Sequence, residues 1–178
     1  MKKLSSKGQR WLKTIHIFFA CLWIGGVLSL ILMMIFLNAE NGLELYGIHV
    51  SMEFIDYIII APGGMGSLLT GLLYSIFTNW GWFKHRWVIV KWCINLYGAI
   101  LGTFWLGPWL NKMVDIVHSE GMAALSDQAY IHNKAMSLSF GSFQLLTLFL
   151  ALYLSVHKPR MKNVVLGGQS YSLLSREK

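Results

Sequence analysis

The chain has 178 residues, of which 55% are hydrophobic and 13% are charged, and its formal net charge is +7 at pH 7. A soluble domain carries about 25% charged residues, so this composition excludes an ordinary soluble fold. We interpret the net positive charge as contact with anionic lipid headgroups rather than with nucleic acid.

Four apolar segments follow one another along the chain, at residues 11–37, 54–77, 87–110 and 136–156. Each meets the roughly 20 residues that a helix needs to cross about 30 Å of hydrocarbon. Because lipid offers the backbone no hydrogen-bond partners, these segments must be helical. The sequence therefore predicts an all-α fold, a four-helix transmembrane bundle in up-down-up-down order. It forms one domain over residues 1–160, followed by a flexible tail at 161–178.

Lysine and arginine residues are distributed unequally between the two sides of this predicted bundle. They cluster before the first segment, between the second and third, and after the fourth, whereas the opposite side carries Lys112 and Lys134. Seven of the eight acidic residues also fall on that opposite side. Because cytoplasmic loops carry the excess of Lys and Arg, we expect both termini in the cytoplasm and a multi-pass protein of the cell membrane.

The first segment carries an ionisable residue, His16, well inside its apolar run. His16 lies five residues after Trp11, which places it about 7 Å into the segment at about 1.5 Å per residue. An ionisable residue in hydrocarbon is a functional-site hypothesis by default, and a histidine bonded to a neighbouring helix is the structural alternative. Small residues at four-residue spacing predict a face of close helix contact, made of Cys21, Gly25 and Ser29.

The second segment has polar residues near its start and a proline near its middle. His49, Glu53 and Asp56 share one helix face through steps of four and three residues. Pro62 predicts a kink, and the two glycines after it admit a backbone or a porphyrin at close range. A kink without any ligand is the alternative.

The third segment carries Lys91 at the same predicted depth as His16, because it lies five residues after Arg86. Asn95 follows one turn later on the same face. Two ionisable groups at matched depth in different helices predict a site between them. Snorkelling of the Lys91 side chain to the headgroups is the alternative.

The segment Asn111–Lys134 is predicted to be a loop outside the membrane, with short surface helices at 113–118 and 123–131. His132 lies near its end, on the same side of the membrane as His49. Histidine and thioether ligands on this side suit copper, and the methionines concerned are Met52, Met113, Met122 and Met136. A solvated acidic face is the alternative.

On the side of the membrane that carries His16 and Lys91, the sequence predicts haem b as the cofactor. A neutral imidazole in a helix bundle is a usual axial ligand for haem iron, so His16 is the candidate ligand. Lys91 then serves either as the second ligand or as the partner of a haem propionate, with Asn95 beside it. A second haem between His49 and His132 is a weaker extension of the same prediction.

Two stretches carry a family resemblance: WLKTIHI with LWIGG, at residues 11–17 and 22–26, and NWGWFKHRWVIVKW at 79–92. They resemble a family of bacterial integral membrane proteins with no assigned function. More distantly they resemble the HemJ-type protoporphyrinogen oxidases and the copper-resistance D-type membrane proteins. The resemblance covers the first three helices. It implies His16 as a haem-ligand position and Lys91 as its essential partner.

The sequence as a whole thus predicts a haem b-binding membrane protein with a redox or electron-transfer role. The reaction class is that of a membrane oxidoreductase, and a quinol or a tetrapyrrole is the expected partner. A homo-oligomer is a further expectation. Copper binding or transport is the first alternative, and a non-catalytic membrane scaffold is the second.

Overall fold

Four long helices account for almost all of the chain that the structure describes. This computed structural model describes residues 4–78 and 86–157; the predicted tail at 161–178 lies outside them, as do residues 79–85. No strand occurs within those ranges. Each helix is long and apolar enough to cross a membrane, and the four are α1 (Ser6–Phe36), α2 (Gly42–Phe77), α3 (Arg86–Ser126) and α4 (Gln128–His157). The predicted all-α, four-helix membrane bundle is therefore confirmed.

The helices form a closed ring. Each packs against its neighbours in sequence, and α4 returns to pack against α1. Short connections between long helices favour antiparallel neighbours, so α1 starts and α4 finishes at the same end of the bundle. We call this the His16 end, because His16 lies in the first half of α1, and we call the opposite end the His49 end.

The predicted loop at Asn111–Lys134 is wrong. The α-helical part of α3 continues to Glu120, where Gly121 caps it with a φ of 57° that suits glycine. A 3-10 helix follows at Gly121–Ser126, and α4 begins at Gln128. The extension buries one stripe at helical spacing, made of Leu110, Met113, Val114 and Val117. Polar residues on the other faces of this extension lower its mean hydropathy, although the helical spacing of the apolar residues continues. A boundary drawn from mean hydropathy therefore ends the helix too early.

α2 likewise begins well before its apolar segment. Its first residue is Gly42, after Asn41, whose side chain accepts a hydrogen bond from the Glu44 backbone N–H at 2.9 Å. The added turns bury Leu45, His49 and Met52, again on one face. His49 consequently lies inside a helix and is buried in the bundle.

The closest helix packing surrounds Trp23 of α1, which is only 2% exposed. At Gly63 the α2 backbone comes so near that an added Cβ would lie 2.7 Å from the Trp23 backbone nitrogen. At Gly98 of α3 an added Cβ would lie 2.9 Å from the indole ring. The glycines after Pro62 thus admit α1, and they leave no space for a porphyrin.

The predicted contact face of α1 is also wrong. Cys21 is exposed, and an added Cβ on Gly25 would meet no atom within 4 Å. The face in contact is the neighbouring one, where Trp23, Gly26 and Val27 are buried. A small residue permits close approach, but here the small partners are on α2 and α3 and a large side chain on α1 fills the space.

α2 and α3 each contain one wide π-helical turn, at Asp56–Ile60 and Gly102–Leu106. In each helix a proline follows the turn two residues later, Pro62 in α2 and Pro108 in α3. A proline ring clashes with the carbonyl four residues before it, and a wider turn relieves that clash. The irregularity predicted at Pro62 takes this form, and its counterpart in α3 lies inside the predicted apolar segment 87–110.

Candidate functional site

The His16 imidazole is anchored through its Nδ1 atom. Its Nδ1 lies 2.8 Å from the Thr70 hydroxyl oxygen of α2. That hydroxyl donates its single hydrogen to the backbone carbonyl of Gly66 at 2.6 Å. A hydroxyl that has already donated accepts from its other neighbour, so Nδ1 carries the proton and donates to Thr70. In this tautomer the ring carries a lone pair at Nε2, and the Ser67 backbone carbonyl, which only accepts, is a further partner of the ring N–H.

Lys91 of α3 is another half-buried ionisable group at the His16 end. Its ammonium lies within electrostatic range of the His16 imidazole. Among the described residues no carboxylate lies close enough to neutralise it. Asn95 is one turn further along, but its amide donates to the Lys91 carbonyl oxygen at 2.7 Å. The Lys91 charge is therefore available to an anionic group, whereas the Asn95 amide is in use.

The donor chemistry at the His16 end fits haem, because an imidazole with an anchored Nδ1 and a lone pair at Nε2 is the usual form of a histidine metal ligand. Gly71 of α2 lies beside the ring, where an added Cβ would be 3.6 Å from Cε1. The two best-defined cavities measure about 50 Å³ and about 110 Å³, and neither is lined by His16 or is large enough for a porphyrin.

His49 of α2 is a buried histidine with both ring nitrogens engaged. Its Nδ1 lies 2.9 Å from the Leu45 carbonyl oxygen, which only accepts, so Nδ1 is the donor. Its Nε2 then accepts from the Tyr130 hydroxyl of α4 at 3.2 Å. Lys134 lies within electrostatic range of the ring. In this arrangement His49 joins α2 to α4 and has no free lone pair for a metal.

The structure does not bring His132 to His49. His132 is exposed, and it follows Tyr130 by two residues on α4. Residues two apart on a helix point to nearly opposite faces, so His132 is directed away from the His49–Tyr130 contact. The second haem between His49 and His132 receives no support from this geometry.

A cavity of about 110 Å³ at the His49 end is rich in thioethers. Two neighbouring methionines of α1 and one each of α2 and α3 line it, together with His49, and these are Met33, Met34, Met52 and Met113. Met122 is exposed, and neither it nor Met136 lines this cavity. Among the described residues, no three His, Cys, Asp or Glu side chains come together.

Several residues that define these sites were not indicated by the sequence. Thr70 and Tyr130 pair with histidines 54 and 81 residues away, and no local pattern reports such pairs. Ser137 and Gln144 are buried with an unpartnered oxygen each. A signal for these two did exist, because polar residues recur along one face of α4 at 133, 137 and 144.

One curated protein shows a partial similarity to this chain. The cytochrome c-type biogenesis protein CcmF of Haemophilus influenzae is 27% identical over 108 residues, which cover 57% of this chain and 16% of that protein. The chain therefore spans about one-sixth of that relative's length. No family model matches the chain, and no solved structure matches it.

Proposed function

We propose that this chain is a haem b-binding protein of the cytoplasmic membrane with a redox or electron-transfer role. The observation that carries the proposal is the state of His16: Nδ1 donates to Thr70, Nε2 carries a lone pair, and the Lys91 ammonium is within electrostatic range. His16 is the axial ligand in this proposal. Lys91 either holds a propionate or supplies the second ligand.

Haem, when bound, supplies one-electron chemistry through its iron. The protein's own residues do the rest. Thr70 fixes the tautomer and the ring orientation of His16, and the Gly66 carbonyl fixes Thr70 in turn. Lys91 brings a cation to a part of the bundle where no described acid neutralises it. Such a cation favours anionic propionates through charge-assisted hydrogen bonds.

The partial similarity to a cytochrome c-type biogenesis protein supports a haem-related role, because cytochromes c are haem proteins. The resemblance of residues 11–26 and 79–92 to the HemJ-type proteins supports His16 and Lys91 in particular. Since His16 lies in a helix that is long and apolar enough to span a membrane, a lipid-soluble quinol or a tetrapyrrole is the partner we propose. We place both termini in the cytoplasm because of the Lys and Arg distribution.

The first test is the haem content of the full chain. The protein is purified in mild detergent from haem-replete cells, and the bound haem is quantified per chain. The purified protein is then mixed anaerobically with a short-chain quinol. We expect bound haem b that the quinol reduces. Purified, folded protein without haem would remove the proposal. Haem that no quinol reduces would direct the search for a partner to tetrapyrroles.

Copper is a second candidate, and the thioether cavity at the His49 end is the observation that favours it. Thioether sulfur is a soft ligand that selects Cu(I), and four methionines line this one small cavity. His49 adds a nitrogen ligand only if the Tyr130 hydroxyl leaves Nε2. The ion would therefore be held mainly by sulfur.

Anaerobic equilibrium dialysis against a Cu(I) buffer tests this candidate. The double substitution Met52→Leu with Met113→Leu removes two buried thioethers at nearly constant volume. The same change at Met122 and Met136 is the matched control, because neither residue lines the cavity. We expect Cu(I) binding to fall in the first variant alone. Equal binding by wild type and both variants would exclude this site.

A further inference from the structure

A second cavity lies in the interior of the bundle, between the two π-helical turns. It measures about 50 Å³, and all four helices contribute to its wall. Asp56 and Ile60 come from the turn in α2, and Gly102 and Leu106 from the turn in α3. At Gly107 an added Cβ would lie 3.6 Å from Asp56 Oδ2, so the carboxylate is directed to the α3 backbone. Single π-helical turns occur frequently at functional sites.

Two oxygens of this cavity lack hydrogen-bond partners among the described residues, whereas the Gln144 Nε2 donates to the Gly98 carbonyl oxygen at 3.4 Å. Ser137 is 6% exposed and Gln144 is 1% exposed. The Ser137 hydroxyl oxygen and the Gln144 Oε1 are buried, and neither has a hydrogen-bond partner among the described residues. Asp56 forms no ion pair with any of them. The Asp56 carboxylate and the Gln144 Oε1 accept hydrogen bonds, the Ser137 hydroxyl accepts or donates, and all three residues line the same cavity.

Water is the occupant that satisfies these groups. An unpartnered oxygen in a membrane interior is costly, since no solvent reaches it. The cavity has room for about three water molecules, and each needs two or more polar partners. Asn133, one turn from Ser137 along α4, has a buried and unpartnered amide nitrogen that continues the same polar row toward the His49 end.

The charged surroundings of Asp56 are simple. Glu53, one turn earlier on α2, is the one ionisable group that acts on its carboxylate. The residues that α1, α3 and α4 contribute to the cavity wall are not titratable. Among the described residues, the cavity wall therefore offers Asp56 hydroxyl and amide groups but no second acid or base.

We propose that Asp56, Ser137 and Gln144 enclose a short chain of water molecules, and that this chain makes Asp56 a proton-exchange site inside the bundle. The exchange forms and breaks one carboxyl O–H bond, and the proton moves to or from the adjacent water. The inference does not depend on haem. It gives the protein a proton-handling centre that is separate from His16.

Infrared spectroscopy of the full chain in lipid nanodiscs tests this inference, with transfer from H₂O to D₂O at acid, neutral and alkaline pH. Asp56→Asn assigns the carboxyl band. Ser137→Ala and Gln144→Leu remove the polar wall. Ser139→Ala is the matched control, because the Ser139 hydroxyl is exposed and donates to the Ala135 carbonyl of its own helix at 2.8 Å.

We expect the Asp56 band to shift at once in D₂O in the wild type. In Ser137→Ala and Gln144→Leu we expect a displaced band or exchange that is several-fold slower, and in Ser139→Ala no change. Ser137→Ala is a small change that keeps the test valid if Gln144→Leu does not fold. A band that behaves alike in Ser137→Ala and the wild type would overturn the inference, as would the absence of any band that Asp56→Asn removes.

Discussion

His16 and His49 are both histidines inside a membrane bundle, yet their hydrogen bonds prepare them for different tasks. His16 donates from Nδ1 to Thr70 and carries a lone pair at Nε2. His49 donates from Nδ1 to Leu45 and accepts at Nε2 from Tyr130. The first arrangement holds a ring ready for a metal, and the second ties two helices together. Burial alone does not separate a ligand histidine from a structural one; the hydrogen bonds of the ring do.

The side chains around the two imidazole rings also differ. An uncompensated lysine, Lys91, acts on His16 from α3. His49 borders a cavity lined by thioethers and is covered by the Tyr130 phenol. We therefore expect substitutions at the His16 end to change cofactor binding and those around His49 to change stability.

The largest effect that sharpens this contrast is expected from Thr70→Val. The substitution keeps the shape of the side chain and removes the hydroxyl that accepts from His16 Nδ1. Loss of such a supporting hydrogen bond typically lowers metal affinity about 10–100-fold, and we expect a fall of that order in haem affinity. Haem titration of the purified protein measures it. Thr70→Ser should retain wild-type affinity, and a normal affinity in Thr70→Val would mean that Thr70 does not orient the ligand.

Lys91 is expected to give the next effect, and its two proposed roles predict different outcomes. If Lys91 holds a propionate, Lys91→Arg keeps the haem and Lys91→Met loses affinity by about tenfold, as for a lost charge-assisted hydrogen bond. If its amine is the second iron ligand, both substitutions change the iron spin state. Haem titration with visible spectra distinguishes the two. Unchanged affinity and spectra in both variants would favour snorkelling.

Around His49 the expected effect concerns stability. Tyr130→Phe leaves His49 Nε2 without its donor, and we expect the free energy of unfolding to fall by about 1 kcal/mol with haem content unchanged. Thermal unfolding in detergent measures the change. Tyr153→Phe is the control, because the Tyr153 ring is exposed and stacks on His157. Equal stability of both variants would show that the Tyr130 contact contributes little.

The smallest effect is expected at Asn95, which the sequence placed in the cofactor site. Its amide donates to a carbonyl of its own helix. Asn95→Leu should therefore leave haem affinity unchanged and alter the free energy of unfolding by less than about 1 kcal/mol. A clear loss of haem in this variant would show that Asn95 contacts the cofactor after all.

Much of the fold could be predicted from hydropathy, because lipid forces an apolar run to be helical. The extents of the helices could not be predicted in this way. α3 beyond Leu110 and α2 before residue 54 are amphipathic, and a single buried stripe does not raise the mean hydropathy of a segment enough to mark it as helix. The contact face of α1 was also missed. The large Trp23 ring fits against glycines of other helices, and that fit is a property of the assembled bundle.

The common depth of His16 and Lys91 could be predicted, since each lies near the start of its helix and α1 and α3 run in the same direction. The role of each histidine could not. It depends on Thr70 and Tyr130, which lie far away in sequence. Thr70 reaches His16 through the packing of α1 on α2, and Tyr130 reaches His49 by a single contact between α2 and α4. The spacing of the polar residues on α4 does indicate a common face. Ser137 and Gln144 are uncharged, however, so a search for charged groups in apolar segments does not find them.

The most direct test of this account is a dithionite-reduced minus oxidised visible spectrum of the purified chain, recorded for wild type, His16→Ala and His49→Ala. The account predicts a haem b signal in the wild type that disappears in His16→Ala and remains in folded His49→Ala. Loss of the signal in His49→Ala with retention in His16→Ala would contradict it. His49 would then be the haem ligand, and His16 would not.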